Sequence, residues 1–217
     1  LTAVITVVFI YLITQHLFTA ISFSFLEAIL LASVMSSTDS ASVFAILGAK
    51  GLVLKERLRP LLELESGSND PMAYLLTITF IQWIQIGEGS LWSVAVTFVL
   101  QLVIGAALGY FLGRIAIRLI NRINIDNESL YPVLLLTLLF MVFSITNVLH
   151  GNGYLAVYIS GLVVGNSKFV HKKTSKKFID GMTWLFQIVM FLTLGLLVNP
   201  TELLPIAGIG LAVSLFM

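Results

Sequence analysis

Two consecutive stretches of this chain place acids where their surroundings are apolar. The first reads Leu26-Glu27-Ala28-Ile29-Leu30-Leu31-Ala32-Ser33-Val34-Met35, then Ser36-Ser37-Thr38-Asp39-Ser40, then Ala41-Ser42-Val43-Phe44-Ala45-Ile46-Leu47-Gly48. The second contains Glu65-Ser66-Gly67-Ser68-Asn69-Asp70-Pro71 and continues as an apolar run from Tyr74 to Ile84. Asp39, Glu65 and Asp70 lie among Asn69 and the hydroxyls of Ser36, Ser37, Thr38, Ser40, Ser42, Ser66 and Ser68. Carboxylates, hydroxyls and carbonyls are hard oxygen donors, suited to small hard cations. Cysteine is absent, and His16, His150 and His171 fall at the ends of apolar runs, which argues against a zinc or copper site. Carboxylates crowded away from bulk water also bind protons more readily, because like charges repel and lost hydration penalises the anion. A carboxylate so placed holds a proton or a cation in turn, and that competition suffices for exchange.

The elements that position these groups must be membrane helices. Of the 217 residues, 58% are hydrophobic and only 11% are charged, with a mean hydropathy of +1.01. A water-facing surface needs roughly a quarter charged residues, so this surface faces a bilayer. The net charge of +1 excludes a nucleic-acid binder driven by bulk basicity. Long apolar runs without period-2 alternation specify helices rather than a barrel. Spans are read near 1–15, 26–48, 61–85, 91–118, 131–149, 153–167 and 181–198, with another starting at 205 and running to 217. Pro60, Pro132 and Pro205 are placed at or just inside helix starts, where the missing N–H costs nothing. The predicted class is an all-α polytopic helix bundle with a discontinuous mid-membrane helix. Because the chain begins and ends inside apolar runs, with no signal-peptide pattern at its start, a longer protein is expected around it.

All 12 Lys and Arg fall in three segments or their helix ends, within 48–60, 114–130 and 168–180. These alternate with loops near 16–25, 86–90, 150–152 and 199–204 that carry none. The positive-inside rule then puts the three basic loops in the cytoplasm of a cell-membrane protein. Within the span 26–48 neither flank of Ser36–Ser40 crosses a membrane alone, so the polar run lies near the midplane. Five small polar residues in a row cap helices well and continue them poorly. Two half-helices joined by an unwound segment at Thr38 and Asp39 are expected, the arrangement in which transporters place ion sites. In the next span, spacing of four pairs Glu65 with Asn69 and Ser66 with Asp70. Pro71 leaves the Gly67 carbonyl without its helical donor. Each ionisable group at mid-membrane costs on the order of 3 kcal/mol, so three cost roughly 9, comparable to a whole protein's stability. Such groups persist where they face a water-filled cavity and act there.

The Thr38-Asp39 pair in a mid-membrane break, followed by Glu65-Ser66-Gly67-Ser68-Asn69-Asp70, resembles the NhaP-like branch of the monovalent cation:proton antiporter superfamily. Gly67 and Pro71 make it most similar to bacterial potassium/proton antiporters linked to cell-volume control. The likeness extends through Gly151-Asn152-Gly153-Tyr154-Leu155-Ala156-Val157-Tyr158, Gly161, and Phe191 to Val198 with Gly195. It implies Asp70 as the principal carrier of cation and proton. Asp39, Ser66 and the Thr38 carbonyl would complete the transient cation shell, with no resident cofactor. Asn69 would steady Asp39 and the broken helix, and its asparagine form implies electroneutral exchange. Glu65 would pair with an arginine beyond residue 217, with Ser68 in support. The implied partners are K+ or Na+, protons, the lipid bilayer and, in some members, a second copy; the implied role is pH homeostasis without enzyme activity.

Rival readings fit less well. An intramembrane aspartyl protease wants Tyr-Asp and Gly-x-Gly-Asp settings, whereas Asp39 follows Thr and Asp70 follows Asn. A cation channel would show a filter-like loop, and an antiporter-like, non-transporting membrane subunit would carry Lys inside several spans. Gly105, Gly109 and Gly113 put small residues on one helix face, a close-packing pattern expected to act within the protomer rather than between protomers. The Lys172-Lys173-Thr174-Ser175-Lys176-Lys177 run reads first as a topological anchor and second as a contact for anionic lipid.

Overall fold

The computed structural model describes residues 2–16, 23–37, 58–86 and 91–216. Among the described residues there are eight helices and no strand. These are α1 (Thr2–His16), α2 (Phe25–Met35), α3 (Leu58–Ile86), α4 (Leu91–Arg122), α5 (Leu130–Val148), α6 (Gly153–Gly165), α7 (Lys172–Leu197) and α8 (Pro200–Phe216). Three of them are long and apolar enough to cross a membrane, over Trp92–Arg122, Leu130–Val148 and Lys172–Leu197. None of the apolar window of α7 is buried inside the protein. Trp184, Phe186, Ile188 and Leu192 stand exposed along it, an apolar surface that water would not tolerate and acyl chains would cover. The molecule is an all-α polytopic membrane protein.

Two helices start earlier than the apolar runs predict. The expected span at 181 begins at Lys172, because lysine is a good helix former and backbone hydrogen bonding is indifferent to side-chain polarity. The third basic loop is therefore already helical from Lys172 onward. The last helix begins at Pro200, so Pro205 lies within it and not at its entry. Proline's fixed φ suits the first turn occupied by Pro200. Similarly, Arg114, Arg118 and Arg122 belong to α4, which outlasts its apolar stretch.

The chain divides into two compact units, residues 1–98 with 206–217, and residues 99–205. In the first, Val7 and Ile10 of α1, Ala28 and Ala32 of α2, and Ile209 and Val213 of α8 form one buried cluster. Phe9 stacks on Phe216 with centroids 3.7 Å apart. Alanines at 28 and 32 make one face of α2 flat enough for close contact. Its start is fixed by a capping box: Glu27 N–H donates to Ser24 Oγ at 3.3 Å and Ser24 N–H to Glu27 Oε2 at 2.8 Å.

In the second unit, Ala116 and Ile120 of α4, Tyr131, Leu135 and Leu138 of α5 and Val164 of α6 form the core. The glycine stripe of α4 lies against α6. A methyl added at Gly105 would sit 2.7 Å from Asn152 O, and one at Gly109 2.6 Å from Ala156 O. The stripe thus acts within the protomer, as its spacing predicts. Asn152 is buried, caps α6 by accepting from Leu155 N–H at 3.1 Å, and donates its own N–H to Gln101 O at 3.0 Å. Tyr131 Oη donates to Ile123 O at 3.1 Å and accepts from Ile125 N–H at 3.3 Å, fastening the turn between α4 and α5.

Candidate functional site

Of the polar residues singled out by their apolar setting, Ser36 and Ser37 meet Asn69 and Asp70 where α2 ends against the middle of α3. The 11 residues of α2 rise about 16 Å, half a hydrocarbon core. The helix stops at Met35. Ser36 closes it by sending both N–H (3.4 Å) and Oγ (2.8 Å) to the Ser33 carbonyl, and Ser33 Oγ bonds the Ile29 carbonyl at 2.7 Å. The last carbonyls of α2 therefore end near a run of hydroxyls, and the negative end of the helix dipole sits there. Thr38 and Asp39, with the expected unwound segment and second half-helix, lie outside the described residues.

The polar stretch of α3 is helical throughout, so its spacing of four holds in space: Ser66 and Asp70 are one turn apart on a continuous helix that includes Pro71. The Gly67 carbonyl has no helical donor, because Pro71 lacks an N–H. Ser66 is buried, Asn69 half-buried and Asp70 exposed. Two bonds join this stretch to α2. Ser37 Oγ donates to Asp70 Oδ1 at 2.5 Å, and Asn69 Nδ2 donates to the Ser36 carbonyl at 2.6 Å. Asn69 thus braces the end of α2. Ser68 Oγ is spent on the Glu65 carbonyl of its own helix at 3.0 Å. Ser37, one of five similar residues in its run, is the Asp70 partner that spacing alone does not distinguish.

Chemically, the arrangement offers one carboxylate beside a helix C-terminus, with hydroxyl and carbonyl oxygens close by. Both the anion and the dipole favour a positive charge, and no cationic side chain among the described residues forms an ion pair with Asp70. In chemical terms these are hard oxygen donors of the kind that suit a small cation or a proton.

The chain is 41% identical over 179 residues to the K(+)/H(+) antiporter NhaP of Alkalimonas amylolytica, covering 82% of this chain and 31% of that protein. It is 40% identical over 194 residues to the K(+)/H(+) antiporter NhaP2 of Shewanella sp. (strain ANA-3), covering 88% and 33%. A NhaP2 of Shewanella baltica (strain OS223) shows 38% identity over the same shares. The chain spans about a third of the length of these relatives. The profile of the transmembrane sodium/hydrogen exchanger family matches residues 1–217, and with these relatives it shows that the chain belongs to that family of cation/proton exchangers.

Proposed function

We propose that the protein containing this chain is a secondary transporter, not an enzyme, that exchanges K+ or Na+ for H+ by alternating access, one cation per proton. The observation that carries the reading is Asp70, held against the C-terminus of α2 by Ser37 and flanked by the Asn69 bond to Ser36. Asp70 alternately takes a proton and a cation. Ser66, the Thr38 carbonyl and Asp39 supply further oxygens, while Asn69 keeps the end of α2 in register. Competition for one carboxylate couples the two fluxes, since Asp70 cannot hold both ions at once. The names of the relatives make K+ the first ion to test. The protein would sit in the cell membrane with its basic segments cytoplasmic and serve pH homeostasis.

The test is reconstitution of the full-length protein in liposomes carrying a preset pH gradient. Added K+ or Na+ should dissipate the gradient, and Asp70→Asn should abolish this with insertion unchanged. Exchange by that variant at the wild-type rate would remove Asp70 from the mechanism. A rate that changes steeply with imposed membrane potential would exclude one-for-one exchange, and cation current without proton counterflow would identify a channel.

A further inference from the structure

A groove of about 400 Å³ opens in the second unit, lined by α5, α6 and the first turns of α7. Its lining joins Lys172, Ser175 and Lys176 to the apolar Leu135, Leu139 and Val164. Gly161 and Gly165 also border it, and a methyl added at either would meet no atom within 4 Å. The groove is therefore room left by missing side chains.

Ser175 is the unexplained group on this wall. It is 1% exposed, and its Oγ has no hydrogen-bond partner among the described residues. Thr137, Thr146, Ser167 and Thr183 of the same unit each donate to the carbonyl four residues earlier, and the other buried hydroxyl without a partner among the described residues, Ser160, packs against Gly113 of α4 and does not line the groove. Ser175 makes no such bond, although its N–H reaches the His171 carbonyl at 3.0 Å. A buried hydroxyl usually finds an acceptor, and one left without points to a partner not yet in place.

The charges around it say what that partner is. Lys172, Lys173, Lys176 and Lys177 crowd the first turns of α7, at the positive end of its dipole, where cations are disfavoured unless an anion offsets them. Lys172 Nζ is engaged by the Gly165 and Ser167 carbonyls at the end of α6. Glu128 is engaged by His171 at 3.4 Å. Lys176 Nζ has no acceptor among the described residues, and it shares the groove with Ser175. A ligand that suits both walls is anionic at one end and apolar along the rest.

We propose that this groove binds an anionic phospholipid, its phosphate accepting from Lys176 Nζ and Ser175 Oγ and an acyl chain covering Leu135, Leu139 and Val164. The medium around a polytopic helix bundle supplies such a molecule, and basic segments at helix ends are where anionic headgroups gather. Asp70 belongs to the other unit.

The experiment uses the full-length protein in detergent, incubated with phosphatidylglycerol, phosphatidylcholine or inorganic phosphate. Retained lipid is read by native mass spectrometry and stability by thermal unfolding. Phosphatidylglycerol should be retained and should raise the unfolding midpoint, whereas phosphatidylcholine and phosphate should do neither. Ser175→Ala with Lys176→Gln should lower phosphatidylglycerol retention at least fivefold. Gly165→Leu, which fills the groove, should abolish it. Ser175→Ala removes only an unpartnered hydroxyl, so it reports on binding even where Gly165→Leu does not fold. Equal retention of the two lipids, a stability gain from phosphate alone, undiminished retention by the double variant, or no retention by the wild type (as when another helix of the same protein fills the groove) overturns the proposal.

Discussion

Ser37 and Asp70 lie 33 residues apart in sequence and share a hydrogen bond in space, so a change at Ser37 acts directly on the proposed carrier. Hydrogen bonds to charged groups contribute about 1.5–3 kcal/mol, and the Ser37 oxygen keeps lone pairs that can turn to a cation held by Asp70, a ligand that alanine lacks. Ser37→Ala should raise the cation concentration for half-maximal exchange about tenfold, equivalent to about 1.4 kcal/mol, with the protein folded. Ser37→Thr keeps the hydroxyl and should restore most of the affinity. Cation-dependent dissipation of a pH gradient in liposomes reads both, and an alanine variant indistinguishable from wild type would show that Ser37 does not act on the carrier. Asp70, Ser66 and Asn69 were legible as residue types because acids and amides are costly inside an apolar run. Ser37 was not, because the choice among five small polar residues depends on where α2 stops. That point is set by Ser36 closing onto the Ser33 carbonyl, a matter of cap geometry that residue letters do not carry.

At the scale of helices, the contact between α4 and α6 rests on backbone approach. Gly109 leaves no space for a side chain, since a methyl there would lie 2.6 Å from Ala156 O and 2.8 Å from its Cα. Gly109→Val should therefore push the helices apart and destabilise the protein by about 1–3 kcal/mol, the usual cost of overpacking. Gly181 of α7 is the control: a methyl there meets nothing within 4 Å. Gly181→Ala should leave stability unchanged or raise it by up to about 1 kcal/mol through helix propensity. Thermal unfolding of the full-length protein in detergent compares the two, and equal midpoints for both variants would refute close packing at the stripe. The stripe was readable because a spacing of four survives into any helix. The starts of α7 and α8 were not, since the apolar run marks what a membrane covers and not where helical hydrogen bonding begins. The Ser24–Glu27 capping box that starts α2 was present in the letters, three residues apart, but was masked by the stronger signal of the apolar run beside it.

For the whole molecule, the testable quantity is which ends of the helices share a compartment. The 26 residues of α7 extend about 39 Å, more than the roughly 30 Å of a hydrocarbon core. Its polar opening of four lysines can then remain in water while Trp184 to Leu197 pass through lipid. Carrying Lys172, Lys173, Lys176 and Lys177 across a membrane is opposed at about 2.5–3.5 kcal/mol for each one left at helix centre, so the lysine end should stay on the side of synthesis. Asn199, between α7 and α8, should then face the opposite compartment. This chain has no cysteine of its own, which makes the measurement direct once any cysteine elsewhere in the full-length protein is replaced. Lys173→Cys and Asn199→Cys are each challenged with a membrane-impermeant maleimide in right-side-out and inside-out vesicles. Lys173→Cys should react only in inside-out vesicles and Asn199→Cys only in right-side-out ones. Both positions reacting from one side would mean that α7 does not cross, and the alternation of basic and neutral loops on which the orientation rests would lose its physical basis.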